Sequence, residues 1–460
     1  MRLCGRVGQS LPEMKNWSLG YEIIRTYVRF ALWLTHQRIV VTGKQLIPKG
    51  KPIIFAANHQ NALMDPLAVA CTNPHQSVWL ARADIFKSKL ARFFLTYLKM
   101  VPIYRIRDGK DNLSNNEQIF QQVTHILENQ LSIALFPEAA HSGRRQMLPH
   151  RKAIPRIALE AEAKNHFELD LQIQPVGIYY THYWKFNRVL IVRYGEPISI
   201  DEYKDEYAEN PQKAMLSLRD EIYDRISPLT LQINSEKHYH DYENLRLVAG
   251  KTYSKSHYFS KNKYLQFLYA DKELIHSLEI FETANPEEFD ILIEKLNQYF
   301  NAIKAANAPD DFIERISTAG WLKLLGSLLA VILSLPVFIF GFLFNSAPFY
   351  IPRQILQLKV KNITFLSTFN FGAGLIVFPL AYLIEAALLL TLTNSWIIAV
   401  PSFILMPFAG KYAWQLLQFY QHIFQELSFL LGNNALRTQY KQLVNQRKEL
   451  VNLIIDKIKS

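Results

Sequence analysis

Short apolar runs bounded by turn residues alternate with amphipathic stretches through the first half of the chain, and long uncharged runs dominate its last third. Pro52-Ile53-Ile54-Phe55-Ala56, Met100–Ile103, Ser132–Phe136, Leu171–Tyr180 and Val189–Gly195 are continuous or near-continuous in apolar and β-branched residues, the pattern of strands covered on both faces. Between them lie stretches of helical period. Ile154, Ile157, Ala158 and Ala161 share one face, and Leu19–His36 and Phe86–Lys99 interleave apolar and aromatic residues with Arg and Lys. Leu19–His36 has the profile of an interfacial helix, or of one packed on a domain. For Phe86–Lys99 core packing is the expectation, with a surface bordering the entry of an apolar ligand as the alternative. Strands alternating with helices predict an α/β domain built on a sheet flanked by helices.

No charge interrupts Leu324–Pro352, Asn362–Ile384 or Ala386–Gly410. A membrane-spanning helix needs about 20 predominantly apolar residues, so a membrane-embedded region is expected after the globular part. Two layouts fit. Three full crossings would place Arg353, Lys359 and Lys361 on the outer side, against the positive-inside tendency. The preferred layout has Leu324–Tyr350 bending at Pro336 and re-entering, followed by a hairpin of Asn362–Leu390 and Ser395–Gly410. Glu385 within this region is costly unless paired. The whole divides into a tail and interfacial helix (1–37), an α/β domain (38–231), a polar helical region (232–318), membrane-embedded helices (319–412) and C-terminal amphipathic helices (413–460), of which the tail Asn433–Ser460 lies on the membrane or pairs with itself.

The chain has 460 residues and a net charge of +11, which favours an anionic membrane surface or acidic substrates. No zinc spacing, Walker loop, dinucleotide fingerprint or RNA-binding aromatic motif is present, so no nucleic-acid partner and no metal site are expected. The two cysteines, Cys4 and Cys71, fit a reducing compartment without a disulfide framework. Met1–Lys15 lacks the apolar core of a cleavable signal. Nothing in the sequence bears on oligomeric state.

Candidate chemistry starts at His59 and Asp65, just after the strand that ends near Ala56. A carboxylate six positions on can fold back to hold one ring N–H, leaving the other nitrogen free to take a proton. None of the other histidines has Asp at that spacing. The competing reading makes Asp65-Pro66 a helix start and His59 a loop residue. Arg105 and Arg107 alternate at the end of the Met100 strand and face one side, as bidentate phosphate grips do. Phe136-Pro137-Glu138 puts a carboxylate at a sheet edge, before a basic loop containing Arg144, Arg145, His150, Arg151 and Lys152. Pro175 and Gly177 inside the Leu171 strand mark an edge, a bulge or a close approach.

In this order the four blocks resemble the glycerolipid acyltransferase superfamily, over roughly residues 35 to 230. The resemblance is nearest to the branch that acylates glycerol-3-phosphate or dihydroxyacetone phosphate. It implies a mixed sheet flanked by helices and a His59–Asp65 catalytic dyad. Asn58, Arg105, Arg107, Pro137, Glu138, Arg144, Lys152 and Pro175 would bind substrate. It also implies an acyl-CoA or acyl carrier protein thioester as co-substrate with no resident cofactor, and a domain on the cytoplasmic face of the membrane. The expected reaction is acylation of glycerol-3-phosphate or dihydroxyacetone phosphate, with acylation of lysophosphatidate as the alternative and a non-catalytic membrane scaffold as a different class. Two departures stand out. Five residues rather than four separate His59 from Asp65, and Ala139 stands where most members have Gly, which requires a negative φ there.

Overall fold

A computed structural model of the chain describes residues 17–103, 114–317, 320–360 and 362–458. The chain divides into two compact units, one ending at Thr230 and the other beginning at Leu231.

In the first unit, helices α1 (Leu19–Thr35), α2 (Met64–Thr72), α3 (Lys89–Tyr97), α4 (Ser114–Glu128), α5 (Ala153–Lys164), α6 (Lys204–Glu209) and α7 (Pro211–Ile226) surround one sheet. Its strands are β1 (His36–Thr42), β2 (Ile53–Ala57), β3 (Val78–Arg82), β4 (Met100–Ile103), β5 (Ser132–Leu135), β6 (Gln172–Tyr180), β7 (Arg188–Tyr194) and β8 (Ile198–Ser199). The order is β1-β7-β6-β2-β5-β3-β4, with β8 on β6. Pairing is parallel from β6 through β2, β5 and β3 to β4, whereas β7 and β8 run antiparallel to β6. The sheet is therefore mixed and flanked by helices.

β2 is central and wholly buried. Ile54 and Ala56 pack into the cluster formed with α4, α5 and α7, including Leu127, Leu159 and Leu218. Phe55 faces the other way, against His75 and Tyr194. Such two-sided cover explains why these strands read as continuous apolar runs. It also holds β2, β3, β4 and β5 with their carboxyl ends at one edge, where open α/β sheets bind ligands.

The Pro and Gly inside β6 have local causes. Pro175 falls between the β8 ladder, which pairs Gln172 and Ile173, and the β7 ladder, which begins at Val176. A missing N–H costs nothing there, and the Pro175 carbonyl still accepts from Gly195 N at 3.0 Å. At Gly177 a Cβ would lie 2.6 Å from the carbonyl oxygen of Leu229. The close approach is thus the chain's own turn. Pro175, expected to bind substrate, is buried within the sheet.

α1 and α3 depart in opposite ways from simple packing. α1 buries Tyr21, Val28 and Leu32 while exposing Leu19, Ile23, Tyr27 and Trp33. α3 buries no residue at all and leaves Leu90, Phe93, Phe94 and Tyr97 exposed. The expectation of core packing for this segment is corrected: its apolar stripe is a surface.

The second unit is helical: α8 (Tyr239–Ser256), α9 (Lys263–Ala284), α10 (Pro286–Ala305), α11 (Asp310–Ile316), α12 (Trp321–Lys359), α13 (Leu366–Thr393), α14 (Trp396–Leu431) and α15 (Asn434–Lys457). Among the described residues, three helices, covering Trp321–Lys359, Ile363–Thr393 and Trp396–Leu431, are long and apolar enough to cross a membrane. α12 continues through Pro336, Pro348 and Pro352, so the re-entrant bend at Pro336 does not occur. At 1.5 Å per residue its 39 residues span about 58 Å, well beyond the hydrocarbon thickness of about 30 Å. Lys361 lies outside the described residues.

α12 and α14 run antiparallel, as Lys323 meets Glu426, Ser334 meets Tyr420 and Asn345 meets Met406. Gly341 permits the approach, since a Cβ there would come 2.7 Å from that of Ala413. Asn345 knots three helices by donating to Gly341 O and Met406 O and accepting from Tyr382 Oη at 2.6 Å. The boundary expected at 412 falls inside α14, whose apolar and polar halves form one continuous helix. α15 packs within its unit. It buries Leu443, Leu450, Val451 and Ile454, and Arg447 binds Asp310 at 2.8 and 3.0 Å and the Val248 carbonyl at 3.0 Å.

Candidate active site

β2 delivers Asn58 and His59 to the carboxyl edge, and the pleat turns their side chains opposite ways. Asn58 is buried, with Nδ2 donating to Ile178 O at 3.0 Å and Oδ1 accepting from Ile178 N at 2.6 Å. Both polar ends of the amide thus clamp β2 to β6.

His59 turns outward. Its Nδ1 lies 2.9 Å from Asp65 Oδ2. The same oxygen accepts from the backbone N–H of Gln60 and of Asn61, each at 2.7 Å. Asp65 is 1% exposed and lies in the first turn of α2, where a carboxylate is favoured. With three donors on one oxygen, the carboxylate fixes the five-residue turn and the imidazole together. Ala62 adopts φ +38° to close that turn. The His59 side chain remains 15% exposed, stacks on Phe136 with ring centroids 4.0 Å apart, and meets the edge of His141 at 5.4 Å.

Behind Asp65 the protein is charged. Asp65 Oδ1 and the Tyr180 hydroxyl are both buried there. Burial and the Asp65 charge hold the Tyr180 phenol far above its usual range. The Arg188 guanidinium lies 4.8 Å from the centre of the Tyr180 ring and donates to His36 Nε2 at 3.2 Å. A cation is therefore buried close enough to act on the carboxylate. Neither Tyr180 nor Arg188 carried a local sequence signal, because each reads as an ordinary strand position.

Glu138 uses both oxygens internally: Oε1 accepts from His59 N at 2.7 Å and Oε2 from Leu148 N at 2.8 Å. It ties the His59 turn to the basic loop. Pro137 contributes its carbonyl to Arg151 N at 2.8 Å. The loop is stitched down further by Gly143 N on Gln60 O at 3.1 Å and Arg145 on Thr181 O at 2.9 Å.

The basic loop is less basic than its sequence. Arg145 is buried over the rings of Tyr179 and Tyr183. His150 packs against Tyr223, and burial pushes its pKa down to about 4. Arg144 and Lys152 are exposed. Arg105 and Arg107 lie outside the described residues, just beyond the end of β4, where Ile103 pairs with Arg82. Arg82 itself is a rim cation that the sequence reading passed over. It pairs with Asp84, and its charge reaches His141, whose pKa is lowered by burial and by His59.

This is a base-plus-carboxylate pair at a sheet edge with cations around it, and the comparisons bear on it directly. A family model described as Acyltransferase matches residues 38–179. An acyltransferase of Schizosaccharomyces pombe is 31% identical over 134 residues, 29% of this chain and 19% of that protein. Glycerol-3-phosphate O-acyltransferase 1 of Saccharomyces cerevisiae is 24% identical over 266 residues, covering 56% of this chain and 34% of its own length. The 1-acyl-sn-glycerol-3-phosphate acyltransferase of Borreliella burgdorferi is 24% identical over 164 residues, 36% of this chain and 60% of that one. Residues 38–179 belong to the glycerolipid acyltransferase superfamily. The chain spans between about a fifth and three fifths of the length of these relatives.

Ala139 in this acyltransferase domain has φ +56°, so the negative φ expected from its Cβ is not met. The turn after Pro137-Glu138 keeps the left-handed shape that a Gly would adopt without strain. Ala139→Gly is expected to stabilise the protein by about 1 kcal/mol, read as a higher unfolding temperature of the purified chain. A second prediction concerns Glu138, whose carboxyl burial and the nearby Asp65 push up from the ordinary 4.5 to about 8. Between those values the folded domain holds a proton that the unfolded chain has lost. Stability should therefore fall as pH rises through that window. Glu138→Gln should flatten the dependence, as measured by unfolding temperature against pH.

Proposed function

We propose that the chain is a membrane-bound O-acyltransferase that moves a fatty acyl group from an acyl-CoA or acyl carrier protein thioester to glycerol-3-phosphate or dihydroxyacetone phosphate. The observation that carries this reading is the His59–Asp65 bond at 2.9 Å at the carboxyl edge of β2. Among the described residues it is matched by no second imidazole–carboxylate pair at that edge. Asp65 holds Nδ1–H and leaves Nε2 as the basic atom.

His59 Nε2 takes the proton of the acceptor hydroxyl as its oxygen attacks the thioester carbonyl. The tetrahedral intermediate collapses with cleavage of the C–S bond, and the departing thiolate recovers the proton from the imidazolium. The products are an ester and a free thiol. Because the thioester is already activated, no covalent enzyme intermediate and no resident cofactor are required. Asp65 stabilises the imidazolium throughout. Stacking on Phe136 keeps the ring from rotating away. Arg105, with Arg107, Arg144 and Lys152, is assigned to the acceptor phosphate, since guanidinium groups grip phosphate bidentately. Arg82 at the adjacent strand end joins them. The domain is assigned to the cytoplasmic face, where such thioesters are found. The three long apolar helices support membrane association.

Lysophosphatidate is the second reading of the acceptor, because the chain is similar to relatives named for each acceptor. Assaying the purified full-length chain with glycerol-3-phosphate, dihydroxyacetone phosphate and lysophosphatidate side by side separates them. Highest turnover is expected with one of the first two, and a preference for lysophosphatidate would overturn that choice. His59→Ala should lower turnover on every accepted acceptor by about 10²–10⁴-fold while the protein stays folded. Near-normal turnover would reject the assignment.

A further inference from the structure

On the opposite edge of the same sheet lies a second feature that acyl transfer does not use. α1, β1 and the end of α2 enclose a groove of about 660 Å³, within the usual size of small-molecule sites, about 300–1,000 Å³. Its position follows from the topology. β1 is parallel to β7, and β7 is antiparallel to β6, which is parallel to β2. The end of β1, with Lys44 just beyond it, is therefore at the edge away from His59, as is the C-terminal end of α2.

The lining is segregated. Arg25, Arg29 and Lys44 gather with a single acidic side chain, Glu22, which pairs with Arg25. Arg29 donates Nε to the carbonyl of Cys71, and Arg25 donates to that of His75. Neither bond offsets a positive charge. The Arg25 side chain is nine-tenths buried, and its Nε has no hydrogen-bond partner. Burial and the two arginines lower the pKa of Lys44, as expected where like charges collect without an anion. Further along, Leu32, Trp33, Ile39 and Leu190 supply an apolar wall.

A ligand for this groove needs an anionic head and an apolar tail. The surroundings say where it comes from. Ile23, Tyr27 and Trp33 are exposed along α1, and aromatics of this kind settle at the headgroup level of a bilayer. The ring of Tyr97 on α3 packs against Gly20, so the exposed Leu90, Phe93 and Phe94 extend the same apolar surface. We propose that this groove binds one anionic glycerophospholipid, its phosphate on Arg25, Arg29 and Lys44 and one acyl chain along Leu32, Trp33, Ile39 and Leu190. This site is separate from His59 and does not depend on the acyl-transfer reading.

The test is native mass spectrometry of the full-length chain released from dodecyl maltoside after addition of phosphatidylglycerol or phosphatidylcholine. Wild type should retain one tightly held phosphatidylglycerol, in preference to phosphatidylcholine. Lys44→Glu should weaken that binding about tenfold, as loss of a charge-assisted contact does, with an unchanged unfolding temperature. Lys44→Gln should give an intermediate result. Equal retention by wild type and Lys44→Glu would overturn the site, as would equal retention of the two lipids. Displacement by potassium phosphate but not by potassium chloride of matched ionic strength would assign the cations to free phosphate instead. The readout counts bound lipid and involves no turnover, so it stands or falls apart from the catalytic assignment.

Discussion

One carboxylate oxygen organises the candidate site. Asp65 Oδ2 receives the imidazole N–H of His59 and the amides of Gln60 and Asn61, so a turn that would otherwise leave two buried donors unpaired is closed by the group that orients the base. Unpaired buried donors each cost about 1–3 kcal/mol, so geometry and stability pull the same way. The position at the start of α2 and the cation of Arg188 behind Tyr180 make a buried negative charge tolerable there. Glu138 performs the matching task on the other side, joining the amide of His59 to that of Leu148. The imidazole is thus held from its ring and from its backbone by two buried carboxyl groups.

Several parts were legible in the chain beforehand because they depend on local patterns. The buried runs at β2, β5, β6 and β7 declared strands, and His59 with Asp65 declared a pair, since a six-residue separation is a turn's reach. Other parts depended on contacts distant in sequence. Asn58 looked like a ligand contact, yet its amide is consumed by Ile178, which is far along the chain. Gly177 looked like room for a ligand, yet the room is filled by Leu229. Arg145 and His150 counted as loop charges until aromatic rings and burial removed them from the surface. Tyr180 and Arg188 gave no signal, because a polar group inside an apolar strand becomes meaningful only when its neighbour across the sheet is known.

The apolar face of α3 and the three long helices illustrate the same limit from the other direction. An amphipathic stripe specifies that something must cover it, without saying whether that is protein or lipid. In α3 the described protein fully buries none of its residues. In the second unit, prolines within α12 suggested a break, but neighbouring helices and the Asn345 knot leave the helix continuous.

The dependence of the base on its carboxylate is most directly measured with Asp65→Asn in the purified full-length chain. An amide at this position cannot accept three hydrogen bonds on one oxygen and hold His59 in the same tautomer with the same charge. Turnover is expected to fall by about 10³–10⁴-fold, with the apparent KM for the acceptor little changed. Turnover within a few-fold of wild type, or a loss confined to KM, would contradict a base held by Asp65.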